Sequence, residues 1–176
     1  GRAMTWIIDT NVILVANRQH ERVSEKCVVA CATRLQRIMK VDRIAIDDGY
    51  RILKEYQSKT TPRVGKRPGD AFVKWLLRNN ANTKRCDQVP LKEHPERGFE
   101  SFPADDRLVT FDRPDRKFVA VAVAHNDHPR IAQAADSKWL GWAPALREHD
   151  VRVEFLCPRD IQGFDDNKKG RKGKKP

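Results

Sequence analysis

The pattern of apolar and polar positions along the chain predicts short buried strands that alternate with amphipathic helices. The runs that suggest strands are short and nearly all apolar, as in the buried strands of a parallel sheet. A helix between successive strands is typical of an α/β fold whose central sheet is mainly parallel. We expect strands over residues 7–8, 43–46, 130–135 and 151–156, a short edge strand over 89–91, and helices over 23–39, 50–56, 70–79, 115–124 and 143–149.

Chain length and loop composition predict one domain over residues 4–164, because 176 residues suffice for a single core. Residues 57–69 are rich in glycine, proline and basic side chains, which favours a flexible loop. From Asp165 onward, six basic residues outnumber two acids and no apolar anchor is evident. We therefore expect residues 165–176 to form a disordered basic tail.

Charge is the most unusual feature of the composition. Lysine and arginine number 35 against 24 acidic residues, which gives a net charge of +11, and the isoelectric point is about 9.8. Such a surface favours nucleic acid as a partner, with an anionic membrane second. Between Arg51 and Arg85 there are ten basic residues and two acids. This segment supplies most of the candidate nucleic-acid contacts, which are Lys59, Arg63, Lys66, Arg67 and, further along the chain, Lys138.

Hydropathy predicts a protein without a membrane span. No apolar run reaches the roughly 18–20 residues that a transmembrane helix needs, and no signal-peptide pattern is present. We therefore expect a soluble cytoplasmic protein.

The cysteines and histidines do not predict a metal site. Cys27 and Cys31 lie one helical turn apart in a segment that should be core, so buried thiols are expected rather than a disulfide or a zinc site. His125 and His128 are close in sequence, but Pro129 follows them and no cysteine accompanies them. They are interpreted as loop residues.

Acidic residues recur at the ends of the expected strands. Three strands end at Asp9, Asp47 and Asp136, while Glu55 and Asp115 lie early in helices. Acids at these positions often only cap helices. In a parallel sheet, however, the carboxyl ends of the strands share one edge, where ligands bind. Clustered carboxylates repel each other unless a cation joins them, and hard cations such as Mg²⁺ or Mn²⁺ prefer oxygen ligands.

Four motifs, taken in chain order, resemble those of the PIN-domain nucleases. The likeness spans most of residues 5–157, and its first and third motifs are the most specific. The motifs are Ile8-Asp9-Thr10-Asn11-Val12, Ile52-Leu53-Lys54-Glu55-Tyr56, Asp115-Arg116-Lys117-Phe118-Val119-Ala120-Val121-Ala122 and Ala135-Asp136-Ser137. The resemblance implies a three-layer α/β/α sandwich and a metal-dependent ribonuclease, in some members a toxin neutralised by an antitoxin.

The resemblance also assigns roles by position. Asn11 and Ser137 would be supporting polar groups, and Asp47 a further acid. Many family members have another acid two residues after the last Asp, whereas this chain has Lys138, which would weaken a second metal site or contact a phosphate. The implied catalytic and metal-binding acids are Asp9, Glu55, Asp115 and Asp136.

Two functions of different classes follow. The first is a Mg²⁺- or Mn²⁺-dependent endoribonuclease that leaves a 5′-phosphate and a 3′-hydroxyl, with single-stranded or flap DNA as the alternative substrate. The second is a nucleic-acid-binding module with a degenerate site, which the Lys138 substitution and the excess positive charge favour. A phosphotransfer domain with Asp9 as nucleophile is set aside, because Asn11 stands where that chemistry needs a second Asp. A protein inhibitor or antitoxin is a further expected partner in the first case, and the oligomeric state stays open.

Overall fold

The computed structural model describes residues 3–20 and 22–173, and only the backbone of residues 171–173. In this part of the chain the strands are β1 (Thr5–Ile8), β2 (Arg43–Asp47), β3 (Cys86–Val89), β4 (Glu93–His94), β5 (Gly98–Phe99), β6 (Arg130–Gln133) and β7 (Val153–Phe155). The helices are α1 (Thr10–Ala16), α2 (Glu25–Lys40), α3 (Arg51–Lys59), α4 (Pro68–Asn79), α5 (Arg116–Ala124), α6 (Lys138–Glu148) and α7 (Pro158–Gly173).

Five strands form one sheet in the order β3-β2-β1-β6-β7, and every neighbouring pair is parallel. The chain first moves outward from β1 through β2 to β3, then crosses to β6 on the other side of β1. Because crossovers between parallel strands are right-handed, the two directions place their helices on opposite faces. Here α1, α2 and α4 pack on one another, while α5 contacts β1, β2 and β6. The predicted three-layer α/β/α sandwich with a mainly parallel sheet is confirmed.

The central strands and α5 form the core. Ile7, Ile8 and Ile44 are fully buried, as expected for strands covered by helices on both faces. In α5 the residues 118–122 are all fully buried, which explains why this helix carries apolar residues around its whole circumference. Ser24 caps α2, since its Oγ accepts a hydrogen bond from the backbone N–H of Cys27 at 3.2 Å.

Some predicted boundaries differ from those observed. Helix α4 begins at Pro68, two residues earlier than predicted, and α6 begins at Lys138 rather than at residue 143. Tyr50 precedes α3 with φ of 60° and is exposed instead of lying on the buried face. Strand β6 ends at Gln133, and the edge strand expected over 89–91 is β3, over Cys86–Val89. Strands β4 and β5 form a separate antiparallel hairpin.

The predicted flexible loop is bound to a buried carboxylate that directly follows it, in the first turn of α4. Asp70 is fully buried and accepts hydrogen bonds from Thr61 N, Asn17 Nδ2 and Arg67 Nε, each at 3.0 Å. A charge at that depth needs such partners. These contacts connect the segment between α3 and α4 to α1, so much of this basic loop is positioned by Asp70.

The prediction that Cys27 and Cys31 are buried thiols is confirmed for Cys31 and wrong for Cys27. Cys27 and Cys157 form a disulfide across 130 residues of sequence, whereas Cys31 and Cys86 are free and buried. The Sγ of Cys31 lies 3.9 Å from that of Cys157. The spacing argument compared Cys27 only with its neighbour in α2. Its partner, Cys157, lies in the loop that follows β7.

The tail also differs from the prediction of disorder, because α7 continues through Asp165 to Gly173. Ile161 is buried and Phe164 packs against the core. The Nζ of Lys168 donates to Ser137 Oγ at 2.7 Å. Tertiary contacts by one face of α7 therefore replace the apolar anchor that the tail itself lacks. Residues 174–176 lie outside the described residues.

A membrane span is not evident in the described residues, since none of their helices combines the length and apolar character that spanning requires.

Candidate functional site

The predicted acids lie around the carboxyl ends of β1 and β6, at the point where the winding of the sheet reverses direction. Asp9 directly follows β1, and Asp136 follows β6 by three residues. A crevice forms at such a reversal because the segments that follow the two strands leave toward opposite faces of the sheet. The topology therefore brings together two acids that are 127 residues apart in sequence.

The N-terminus of α5 adds further carboxylates to this crevice. A 3-10 turn, Arg113–Asp115, precedes α5, and it brings Asp112 near Asp115. One carboxylate oxygen from each of Asp112, Asp115 and Asp136 lies within 4.8 Å of those of the other two. All three side chains are half-buried. Groups this close and partly withdrawn from water repel one another strongly when all are ionised.

Glu55, from α3, faces the same cluster but is already paired. Its Oε1 accepts a hydrogen bond from Lys117 Nζ at 2.8 Å, and its Oε2 accepts one from Thr10 Oγ1. Lys117 also donates to the carbonyl of Pro114. The ammonium group of Lys117, only 9% exposed as a residue, is thus a built-in cation at one side of the acidic cluster.

Asp9 is the most buried acid of the cluster, with 5% of its surface exposed. It is the N-cap of α1, and its Oδ1 accepts a hydrogen bond from Asn11 N at 2.9 Å. Burial raises the pKa of Asp9 well above its usual range, and the negative charges of Asp115, Asp136 and Glu55 add to this effect. The hydrogen bond from Asn11 opposes it only in part. A cap alone would not account for these neighbouring charges.

Asp115 is similarly perturbed. Burial, followed by the charges of Glu55 and Asp136, raises the pKa of Asp115 to about 6, while the ammonium of Lys117 acts in the opposite direction. A bound cation would favour the charged form of this carboxylate. It would therefore oppose the rise in the pKa of Asp115.

The stability of the metal-free protein should therefore fall as pH rises from about 4 to above 6. Because the pKa of Asp115 is raised on folding, the folded protein holds this proton more tightly than the unfolded chain does. The resulting stabilisation is fully present below the unfolded pKa of 3.8 and is lost as the pH rises through 6. Because part of the side chain contacts water, the loss is on the order of 1–2 kcal/mol. Thermal melts in EDTA from pH 4.5 to 7.5 measure it.

Asp115→Asn is the control for this profile, since Asn cannot titrate. The difference in melting temperature between wild type and Asp115→Asn should grow across this pH range, in favour of the variant. A difference that stays constant with pH would contradict the assignment of the raised pKa to Asp115.

Of the predicted supporting residues, Asn11 and Ser137 lie at the crevice and Asp47 does not join the cluster. Asn11 Oδ1 accepts a hydrogen bond from Ala134 N at 3.1 Å, which connects the segment after β1 with the segment after β6. Ser137 is buried beside Asp136. Asp47 is fully buried and accepts hydrogen bonds from the N–H groups of Arg51 at 3.0 Å and Ile52 at 2.9 Å. Its observed contacts are those of a helix cap for α3.

The predicted nucleic-acid-binding residues fall into two groups. Lys59, Arg63 and Lys66 are exposed around the loop between α3 and α4, where their charges can meet a phosphate backbone. Arg67 and Lys138 have carboxylate partners instead. Arg67 Nε contacts the buried Asp70 at 3.0 Å, and Lys138 Nζ contacts Asp112 at 3.2 Å.

Two residues of the site, Asp112 and Lys117, were not predicted as members. A signal was present, because Asp112 and Asp115 enclose Arg113-Pro114, a pair that favours a tight turn before a helix. The pairing of Lys117 with Glu55 had no local signal, since 62 residues separate them.

The chain was compared with protein-family models, curated proteins and solved structures, and none of the three comparisons finds a match.

Proposed function

We propose that this chain is a Mg²⁺- or Mn²⁺-dependent endoribonuclease of the PIN type. The observation that carries the proposal is the convergence of carboxylates from four separate segments at one edge of a parallel sheet. The chain that carries them has a net charge of +11. The converging acids are Asp9, Glu55, Asp112, Asp115 and Asp136.

The donor set fits a hard divalent cation. Every candidate ligand in the crevice is a carboxylate oxygen. Burial raises the pKa values of Asp9 and Asp115, and the repulsion between the carboxylates, which adds to this effect, is what a cation would relieve. Asp115 and Asp136, with Asp112, would hold it, and Asp9 would be a further ligand. When bound, such an ion activates water and stabilises the negative charge that develops on a phosphodiester.

Other residues of the chain would position the substrate. Lys117 holds Glu55 in place, so that one carboxylate faces the cluster in a fixed orientation. The exposed Lys59, Arg63 and Lys66 would attract the phosphate backbone through charge. Charge of this kind does not distinguish RNA from single-stranded or flap DNA, so both substrates belong in the test. A protein inhibitor or antitoxin would act by covering the crevice.

A second candidate function is a nucleic-acid-binding module that has lost catalysis. The observation in its favour is that two lysines occupy the acidic cluster: Lys117 pairs with Glu55 and Lys138 pairs with Asp112. An ammonium group can neutralise a carboxylate that a catalytic cation would otherwise use. The two functions differ in what a divalent cation does.

A cleavage assay decides between them. Labelled single-stranded RNA and a flap DNA would be incubated with the full chain in Mn²⁺, Mg²⁺ or EDTA. We expect metal-dependent cutting of RNA that Asp136→Asn reduces by roughly 10²–10³-fold, as for loss of one preorganised electrostatic group. The matched control is Asp127→Asn, an exposed carboxylate on the loop before β6, which should cut like wild type.

Two outcomes would overturn the proposal. Binding of RNA without cutting under every metal condition would favour the binding module. Cutting that survives in EDTA or in Asp136→Asn would assign the activity to a contaminant or to another site.

A further inference from the structure

A cavity of about 360 Å³ opens directly beside the carboxylates, at the crevice between the chains that leave β1 and β6. Its volume is within the range of small-ligand pockets, roughly 300–1,000 Å³. The lining comes from four parts of the fold: the start of α1, the segment after α1, the segment that leads into α6, and one side of α7. The residues that matter here are Asn11, His20, Arg22, Ser137, Phe164 and Lys168.

Two aromatic rings lie close together, tilted against each other, in the lining of this cavity. The centroids of His20 and Phe164 are 6.1 Å apart, with an angle of 35° between their planes. Phe164 is half-buried and packs against the core, so its position is supported from behind. Stacking on an aromatic or histidine ring is the common way in which proteins hold an unpaired nucleobase.

The polar atoms of the cavity are arranged for a ligand with hydrogen-bonding edges. His20 Nδ1 is buried, and it makes no hydrogen bond to any residue that the structure describes. A buried nitrogen without a hydrogen-bond partner is unfavourable, and a bound group that reaches it would relieve this. Asn11 and Asn167 add amide groups to the lining, and the hydrogen bond from Ala134 N to Asn11 Oδ1 fixes the first of these.

Positive charge lies at the mouth of the cavity. Arg22 and Lys168 are both exposed and belong to its lining. Lys168 Nζ donates to Ser137 Oγ at 2.7 Å, which places an ammonium group beside the residue that follows Asp136. Since Asp136 also lines the cavity, a phosphate inside would be repelled, whereas a phosphate at the mouth would meet the two cations.

We propose that this cavity binds the base of a nucleotide whose phosphate lies at the cavity mouth, beside the acidic site, and so gives the protein a base preference. The inference rests on the proposed function in its choice of substrate class. The base would stack on Phe164, with His20 and the two asparagines along its edges, while Lys168 and Arg22 contact the sugar-phosphate. α7 is then a substrate-binding element as well as a part of the fold.

Calorimetric titration of the full chain in EDTA tests this without requiring cleavage. The probes are the four nucleoside 5′-monophosphates, ribose 5-phosphate, and RNA trinucleotides of each base. We expect at least one monophosphate to bind about tenfold or more tightly than ribose 5-phosphate, and the trinucleotides to rank the bases in the same order. A preference confined to free monophosphates would mean a mononucleotide site and would overturn the assignment to an RNA strand.

Phe164→Leu is the informative variant, because leucine keeps the apolar contact with the core but removes the ring. It should weaken binding of the preferred nucleotide about tenfold, in line with the loss of one stacked ring, and leave the affinity for ribose 5-phosphate unchanged. The matched control is Phe155→Leu, a half-buried ring on β7 outside this cavity. Circular dichroism verifies the fold of both variants.

The outcomes separate this inference from the proposed function. Equal binding of ribose 5-phosphate and all four monophosphates would overturn the base site, even if the protein cuts RNA. Base-dependent binding that Phe164→Leu abolishes would support it, even if no RNA is cut.

Discussion

Asp9→Asn should abolish metal-dependent cleavage and, at the same time, make the metal-free protein more stable. The two effects have one physical cause. Asp9 is 5% exposed and is surrounded by other carboxylates. Its charge is unfavourable to folding but useful for holding a cation. We expect cleavage to fall by about 10²–10³-fold or more. The melting temperature in EDTA at pH 7.5 should rise, by about 2–4 °C for each kcal/mol gained.

Asparagine is the appropriate replacement because its Oδ1 can still accept the hydrogen bond from Asn11 N that caps α1. The assay pairs thermal melts in EDTA and in Mn²⁺ with RNA cleavage. Mn²⁺ should stabilise wild type and have little effect on Asp9→Asn, since only wild type offers the full set of ligands. A variant that melts lower than wild type in EDTA would show that Asp9 is needed for the fold, and would remove the argument that its charge is kept for binding a cation.

The disulfide between Cys27 and Cys157 should contribute the largest single stabilisation outside the core. It closes a loop across 130 residues, and the chain-entropy model assigns roughly 4–5 kcal/mol to a loop of that size. Adding a reductant, or replacing Cys157 with alanine, should lower the melting temperature by on the order of 10–20 °C. Melts with and without reductant, together with the mass of the unreduced chain, measure this.

Cys86→Ala is the matched control, because Cys86 is also buried but is free. It should lower stability by a smaller amount that does not depend on reductant. The comparison also bears on the expected cytoplasmic location, where such pairs are usually kept as thiols. The pairing would be contradicted if the melting temperature of wild type were insensitive to reductant and the unreduced protein had two more free thiols than the structure shows.

The same disulfide bears on the nucleotide cavity. Cys157 directly precedes α7, whose Asp160 accepts hydrogen bonds from Ser24 N at 2.6 Å and from Ser24 Oγ at 2.8 Å. These contacts attach the start of α7 to the start of α2. Phe164, which lines the cavity, lies on the turn that follows. The orientation of the cavity wall thus depends on contacts more than 130 residues apart in sequence.

The order of strands and helices could be predicted from local sequence because it follows from local physics. A fully buried strand shows a continuous apolar run, and a helix under a sheet shows apolar residues at helical spacing. Ile7-Ile8 is a run of the first kind, and the buried Cys31, Leu35 and Ile38 of α2 show the second. Boundary errors occur where capping or packing sets the boundary, as at Tyr50 and at the start of α6. The β4–β5 hairpin and helix α7 were not predicted.

The candidate site was partly visible for the same reason. An acid at the end of a buried strand stays at that edge whatever the rest of the fold does, so Asp9 and Asp136 could be placed from the sequence. Asp47 has the same local pattern, yet its carboxylate is used by the N–H groups of α3. Local sequence does not distinguish an acid that caps a helix from one that faces a crevice.

By itself, the sequence determined the α/β class, the parallel character of the sheet, the strong positive charge and the strand-end positions of the acids, all of which depend on near neighbours in the chain. Only the tertiary structure decided which groups meet across long separations: Lys117 with Glu55, Cys27 with Cys157, and α7 with the crevice. Such contacts depend on how whole elements pack, and the burial that shifts the pKa of Asp115 exists only after packing.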